Sequence, residues 1–263
     1  MNQLRNYFEQ NEKRLINKYD HYFDVYDRYF SQFINKKITI VEIGVYQGGS
    51  LQMWREYFGK EAIIWGIDID PRSKTLEGEN THILIGSQED PKFLKSIINQ
   101  IGPIDILIDD GGHTQNQQII SFKELYQHIK IGGIYLCEDV HTSYMNLYGG
   151  GHKRRGTFLE YSKTLIDQLN AYHSEQSEFM IDQFTLTTNT IHYYDSIVLF
   201  EKKAMVKPSA KMTGQWSFEY IKTKKTLIEK FEYHFLIRIN KIFQLLKLKA
   251  IFVNEMQRLS NMR

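Results

Sequence analysis

The sequence predicts a doubly wound α/β fold, and three observations predict it. Short, β-branched apolar runs recur along the chain: ITIVEIG from Ile38, AIIWGIDID, THILIG, IDILIDD and GGIYLCED. None shows the polar alternation of a half-solvated strand, which suits strands buried on both faces of a parallel sheet. Stretches with helical apolar spacing separate most of these runs, the alternation that βα units produce. Five such strands and a closing pair give a Rossmann-like sheet, seven-stranded and mostly parallel with an antiparallel final strand, flanked by an N-terminal helical lid and a C-terminal helical extension.

Each element has its own signal. Over the first 34 residues, Leu4, Phe8, Leu15, Tyr19, Tyr22, Tyr26, Phe30 and Phe33 recur at helical spacing with charges between them, predicting helix. SLQMWREYF reads as a helix with Ser50 as its N-cap, and PKFLKSIINQI as one opened by Pro91. QNQQIISFKELYQHI and TFLEYSKTLIDQLNAY are the next two helices. FTLTTNT and IHYYDSIVLFEKK stand too close for a crossover, so they read as an antiparallel pair.

Composition bounds the function. The chain has 263 residues, 42% hydrophobic and 14% aromatic, which supports a packed core and excludes bulk disorder. Cys137 is its one cysteine, so no disulfide scaffold exists. No run is long and apolar enough to span a bilayer, and the start is too polar for a signal peptide, so a cytoplasmic location is expected. The formal charge of +2 conceals a division. Residues 221–263 carry ten Lys/Arg against three acids, leaving the first 220 at −5. The expected organisation is a lid over 1–36, a ligand-binding domain over 37–206 and a basic helical extension over 216–263.

The chemistry starts at VEIGVYQGGS. Gly44 and Gly48 form a turn between the first strand and its helix, where ligands lie in open α/β sheets. This is not the GxGxxG pattern, and Glu42 at the strand end would repel a pyrophosphate. Asp68 ends the second strand, where a carboxylate accepts from ribose hydroxyls. A cationic nucleoside without phosphate satisfies all four residues, and S-adenosylmethionine is such a ligand. Two further strand ends carry Asp109, Asp110 and His113, then Glu138, Asp139 and His141. Neighbouring strand ends lie about 5 Å apart, so these acids are expected to converge on Mg²⁺ or another hard divalent cation. His113 is the natural general base. Asp109 or Asp110 could instead cap the following helix.

The ordered set VEIGVYQGGS, WGIDIDP, GSQEDP, IDILIDDGGH, GGIYLCEDVHTSY and IHYYDSIVLFEK, over about residues 18–203, resembles the class I S-adenosylmethionine-dependent methyltransferases. More narrowly, it is similar to the metal-dependent sugar O-methyltransferases of bacterial natural-product pathways, including the macrolide (mycinamicin-type) tailoring enzymes, with cephalosporin hydroxylase-type relatives sharing the core. The resemblance implies that Glu42, Gly44 and Gly48 cradle the cofactor's methionine part, Asp68 holds its ribose and Gln88 flanks its adenine. It implies Asp110, Glu138 and Asp139 as metal ligands, with Asp109 a competing assignment that otherwise falls to the cofactor side. Tyr22 and Tyr26 would belong to the lid over the cofactor. His141 and Tyr144, with Gly149, Gly150 and Gly151, would face the substrate. The usual DDGSH is DDGGH here, and Ser87 stands where an acid is expected after the third strand.

The acceptor implied is a sugar hydroxyl on a glycan or small natural product. Rival readings are an NAD(P)-dependent oxidoreductase, disfavoured by the missing GxGxxG, and an inactive methyltransferase-fold scaffold. For the tail, packing on the body or in a homo-oligomer competes with a membrane-surface contact through residues 221–253 at the inner face of the membrane. Nucleic acid is not an expected partner, because the body is acidic and shows no recognition motif.

Overall fold

The computed structural model describes residues 2–174, 179–218 and 226–250. The chain divides into two compact units, residues 1–208 and 209–263. The first holds strands β1 (Thr39–Ile43), β2 (Ile63–Asp68), β3 (Thr81–Ile85), β4 (Ile104–Asp109), β5 (Ile129–Cys137), β6 (Thr188–Tyr194) and β7 (Ile197–Lys202). They form one sheet in the order β3-β2-β1-β4-β5-β7-β6. β3 through β5 pair in parallel, and β7 runs antiparallel to both β5 and β6. The expected seven-stranded sheet with one reversed strand is therefore present.

Helices α1 (Gln3–Glu9), α2 (Tyr22–Phe30) and α3 (Gly49–Phe58) contribute to one core, and α4 (Pro91–Ile101), α5 (Gln115–Leu125), α6 (Phe158–Leu169) and α7 (Gln183–Thr187) to the other. Strand alternation sorts the side chains between them. Ile40, Ile106, Ile108, Ile134 and Leu136 pack with Tyr22, Phe23, Phe30, Trp54 and Phe58. Val41, Ile43, Leu107, Tyr135 and Cys137 pack with Leu94, Phe122, Tyr126 and Phe158. The proposed lid residues are thus part of the main core.

Four local expectations are corrected. The N-terminal helix is broken: residues 10–21 lack helix, and Asn11 bends the chain by accepting from the Lys13 amide at 3.1 Å. α3 starts two residues earlier than read, with Gly48 in the left-handed region at the N-cap position, while Ser50 gives its hydroxyl to Glu42 at 2.7 Å. Neither Asp109 nor Asp110 caps α5; Thr114 does, in a reciprocal capping box with Gln117. The FTLT segment is the short helix α7, nucleated by a capping box between Asp182 and Thr185, and the hairpin turns at Asp195 and Ser196.

The second unit contains α8 (Leu227–Leu245). Of the tail expected to meet a surface, residues 221–225 and 251–253 lie outside the described residues. No helix among the described residues is long and apolar enough to cross a membrane.

Candidate active site

The carboxyl ends of the parallel strands carry a cavity of about 550 Å³, lined by residues 15–18, 43–47, 67–70, 86–88 and 110–113 together with Ser50, Arg72, Gln117 and Asp139. It sits where the strand order reverses beside β1 and β4, the crevice that sheets of this topology leave open. The loops are stitched together there. The Gly44 amide donates to Ile67 O at 2.8 Å, the Asp110 amide to Ile43 O at 3.0 Å, and the Glu138 amide to Asp109 O at 2.9 Å.

The glycine turn has no room for a side chain. Gly44 has φ +90°, and a Cβ on it would strike the Asp110 carbonyl. Asp68 is next to it: one carboxylate oxygen accepts from the amides of Val45 at 2.8 Å and Tyr46 at 3.0 Å, the other from Asp70 at 2.8 Å. Gly44 and Asp68 line the cavity; Gly48 does not, its part being the cap of α3. Gln88 lines it too, with its amide fully used: Nε2 donates to Asp109 and Ser121, and Oε1 accepts from the Gly112 amide at 2.8 Å.

Strand parity divides the acids. Glu42, Asp110 and Glu138 share the face of Ile40, Ile108 and Leu136, and all three turn toward one cation, Lys18. Its Nζ stands 2.5 Å from Asp110 Oδ2, 2.9 Å from Glu138 Oε2 and 3.6 Å from Glu42 Oε1. Burial opposes charge on this lysine, but the three carboxylates outweigh it and hold the ammonium well above its ordinary range. Burial raises all three carboxyls, with Lys18 pulling the other way.

Asp109 has the parity of Leu107 and points to the opposite core. Tyr135 and Gln88 donate to its two oxygens at 3.0 and 2.9 Å, and burial pushes it up to about 7. It does not line the cavity, so its assignment to the cofactor is corrected by the alternation of the strand. Tyr26 is corrected likewise. It is fully buried behind Glu138, to which it donates at 2.6 Å, and it faces the cluster instead of a cofactor. Glu42 is also fully buried beneath the turn.

Asp110, His113 and Asp139 each offer a ligating atom, all within 4.8 Å of one another. His113 Nε2 lies 3.5 Å from Asp139 Oδ2 and 3.8 Å from Asp110 Oδ1, and its buried Nδ1 has no hydrogen-bond partner among the described residues. His113 and Asp139 both have positive φ, +57° and +53°, which turn them out of their strands' paths. Thr142 Oγ1 donates to the His113 carbonyl at 2.9 Å and ties the two loops. Tyr22 donates to Asp139 Oδ1 at 2.5 Å. Two carboxylates with the imidazole Nε2 beside them are a donor set that fits a divalent cation. Of the expected ligands, Glu138 stands apart, both its oxygens being engaged by Tyr26 and Lys18.

His141 accompanies the cluster at its rim, with Nδ1 2.9 Å from Ser196 Oγ. Tyr144 is exposed on the turn Val140–Tyr144, and Gly150 packs against the Thr142 carbonyl. Lys18 is the residue that sequence reasoning missed, because a lysine on a helix of alternating charges reads as a solvated one.

No family model matches the chain. Curated relatives do match. The chain is 32% identical over 192 residues, 70% of its length, to the 8-demethyl-8-alpha-L-rhamnosyl tetracenomycin-C 2'-O-methyltransferase of Streptomyces olivaceus, of which this covers 50%. It is 34% identical over 193 residues to the mycinamicin VI 2''-O-methyltransferase of Micromonospora griseorubida, covering 67% of this chain and 47% of that protein. Among solved structures, the MycE methyltransferase of the mycinamycin biosynthetic pathway, in complex with Mg and SAH, superposes with a TM-score of 0.69 at 28% identity, over 77% of this chain and 54% of that one. The chain spans about half the length of the curated relatives it matches.

Proposed function

We propose, on the premise that this chain is homologous to the bacterial sugar O-methyltransferases and carries their fold, that it is an S-adenosylmethionine-dependent, divalent-metal-assisted O-methyltransferase. Its acceptor is a sugar hydroxyl of a small glycosylated compound. One observation carries the reading: the Gly44 turn, Asp68 and the Asp110–His113–Asp139 cluster line a single cavity. S-adenosylmethionine, when bound, supplies an electrophilic methyl group, and a divalent ion supplies charge that favours the ionised acceptor.

The chain's residues do the rest. Gly44 lets the backbone approach the cofactor, and Asp68 stands at the β2 end to accept from its ribose. Asp110 and Asp139, with Glu138, would hold the metal. His113 accepts the proton that leaves the hydroxyl, and the carboxylates at 3.5 and 3.8 Å stabilise the imidazolium. Residues 15–18 wall the cavity on the side of the N-terminal segment.

Asp139→Asn tests the assignment. Transfer of labelled methyl from S-adenosylmethionine should be abolished, while calorimetric affinity for S-adenosylhomocysteine stays nearly unchanged. Affinity collapsing together with transfer would make the cluster structural. A thermal shift with NAD⁺ and none with S-adenosylhomocysteine would favour the oxidoreductase.

The same reading places the enzyme in the cytoplasm. The apolar and basic residues of α8, such as Phe231, Phe235, Lys230 and Arg238, form the part of residues 221–253 suited to an anionic membrane surface. Flotation of the full chain with anionic but not zwitterionic vesicles supports that contact; no flotation with either removes it.

A further inference from the structure

The metal-assisted reading leaves Lys18 to be explained, and the inference that follows rests on that reading. Lys18 is almost fully buried, its side chain 2% exposed, and bonds to Asp110 Oδ2 and Glu138 Oε2. A divalent ion that takes Asp110 and Glu138 as ligands draws on the same two carboxylates. Two positive charges in that enclosed space repel without water to screen them. We propose that Lys18 is the built-in counter-ion of the acid cluster and that a divalent cation displaces its ammonium, releasing the segment of residues 10–21, whose residues 15–18 wall the cavity.

The wall is built for such a role. It joins α1 to α2 without helix of its own, so it can move while both helices stay packed. Its inner side is fixed by side chains: Ile16 is buried against the core, Asn11 Nδ2 donates to Arg14 O at 2.9 Å, and Arg14 Nη1 donates to Leu76 O at 3.1 Å. It rests directly on α3, since a Cβ on Gly49 would meet the carbonyls of Arg14 and Leu15. Lys18 supplies the charged anchor at its far end. With the ammonium in place the three carboxylates are neutralised in part, and the wall is closed over the strand ends. With the ammonium displaced, Glu138 is freed to join Asp110 and Asp139, and the wall loses that anchor.

Two measurements on the full chain test this. Hydrogen–deuterium exchange with and without saturating Mg²⁺ should show faster exchange over residues 10–21 when Mg²⁺ is bound. Calorimetry should show Lys18→Met binding Mg²⁺ at least about tenfold more tightly than the unaltered chain, the size of an ordinary coupling between two sites. Mg²⁺ binding with exchange over 10–21 unchanged or slowed overturns the proposal. So does equal Mg²⁺ affinity in a folded Lys18→Met protein. The exchange experiment uses the unaltered chain and decides the matter even if that variant does not fold. Absence of Mg²⁺ binding by the unaltered chain and by a folded Lys18→Met protein overturns the metal-assisted reading itself, and this inference with it.

Discussion

The hydroxyl of Tyr22 donates to Oδ1 of Asp139 at 2.5 Å, across 117 residues of chain. It also receives the Asp139 amide at 3.3 Å, so one phenol fixes both the side chain and the backbone of a residue at φ +53°. Burial and the neighbouring acids push the phenol well above its ordinary range, which keeps it a donor. Tyr22→Phe keeps the ring in the core and removes only the hydroxyl. Methyl transfer should fall by roughly 10–100-fold, as for other residues that orient a metal ligand, with S-adenosylhomocysteine affinity retained. Initial rates and calorimetry check both halves. An unchanged rate would mean that Asp139 needs no such support.

Gly44 stands at φ +90° against the Asp110 carbonyl. Gly44→Ala adds a Cβ in a region L-residues avoid and drives it into backbone that carries a site residue. The loss of unfolding free energy should exceed about 1 kcal/mol, and affinity for S-adenosylhomocysteine should fall with it. Denaturant melts and calorimetry measure the two. Gly102 is a useful control, since it also has positive φ but meets nothing within 4 Å. Gly102→Ala should be the milder stability change and leave cofactor affinity alone.

The sheet was legible because strands buried on both faces must be continuous apolar runs, and each ended in an acid or a glycine. The position of Asp109 was legible too, since counting in twos from Leu107 sends it to the α5 side and Asp110 to the other. Motif reading placed it with its neighbours instead. The break after α1 was not legible. Leu15 and Tyr19 keep helical spacing, and only the tertiary contacts of Arg14, Ile16 and Lys18 pull the segment into the cavity wall. The FTLT segment was lost to a similar ambiguity, because β-branched residues favour a strand while Asp182 and Thr185 cap a helical turn. Lys18 carries its meaning through acids distant in sequence, chiefly Asp110 and Glu138, 92 and 120 residues away.

Lys202 provides a pH-dependent test away from the site. It is 5% exposed at the end of β7, and its Nζ reaches the carbonyls of Tyr126 at 3.2 Å and Gln127 at 3.5 Å and the face of the Tyr126 ring. Burial pulls it below the ordinary lysine value. Between that lowered value and the unfolded value of about 10.4, the folded chain holds fewer protons than the unfolded one. Its contribution to stability therefore rises with pH through that window and is least favourable below it. Relative to Lys202→Met, the unaltered chain should gain stability as the pH rises through that window toward about 10. Urea melts of both proteins across that range measure the difference. A gap independent of pH would show that the ammonium bears no cost of burial.

His113 is the residue on which the proposed proton transfer depends, and its backbone dictates how to test it. With φ +57° it occupies the left-handed region, where asparagine is tolerated far better than most side chains. His113→Asn therefore removes the base without straining the DDGGH turn, which Thr142 continues to hold through the carbonyl of residue 113. The turnover number should fall by about 10²–10⁴-fold, the usual contribution of a positioned general base. KM for S-adenosylmethionine and the melting temperature should move little. The split matters: a structural role for His113 would lower stability and cofactor affinity together with turnover. Turnover within a factor of a few of the unaltered enzyme would assign the proton to another group, and Asp110 and Asp139, the carboxylates beside Nε2, would be the next to test.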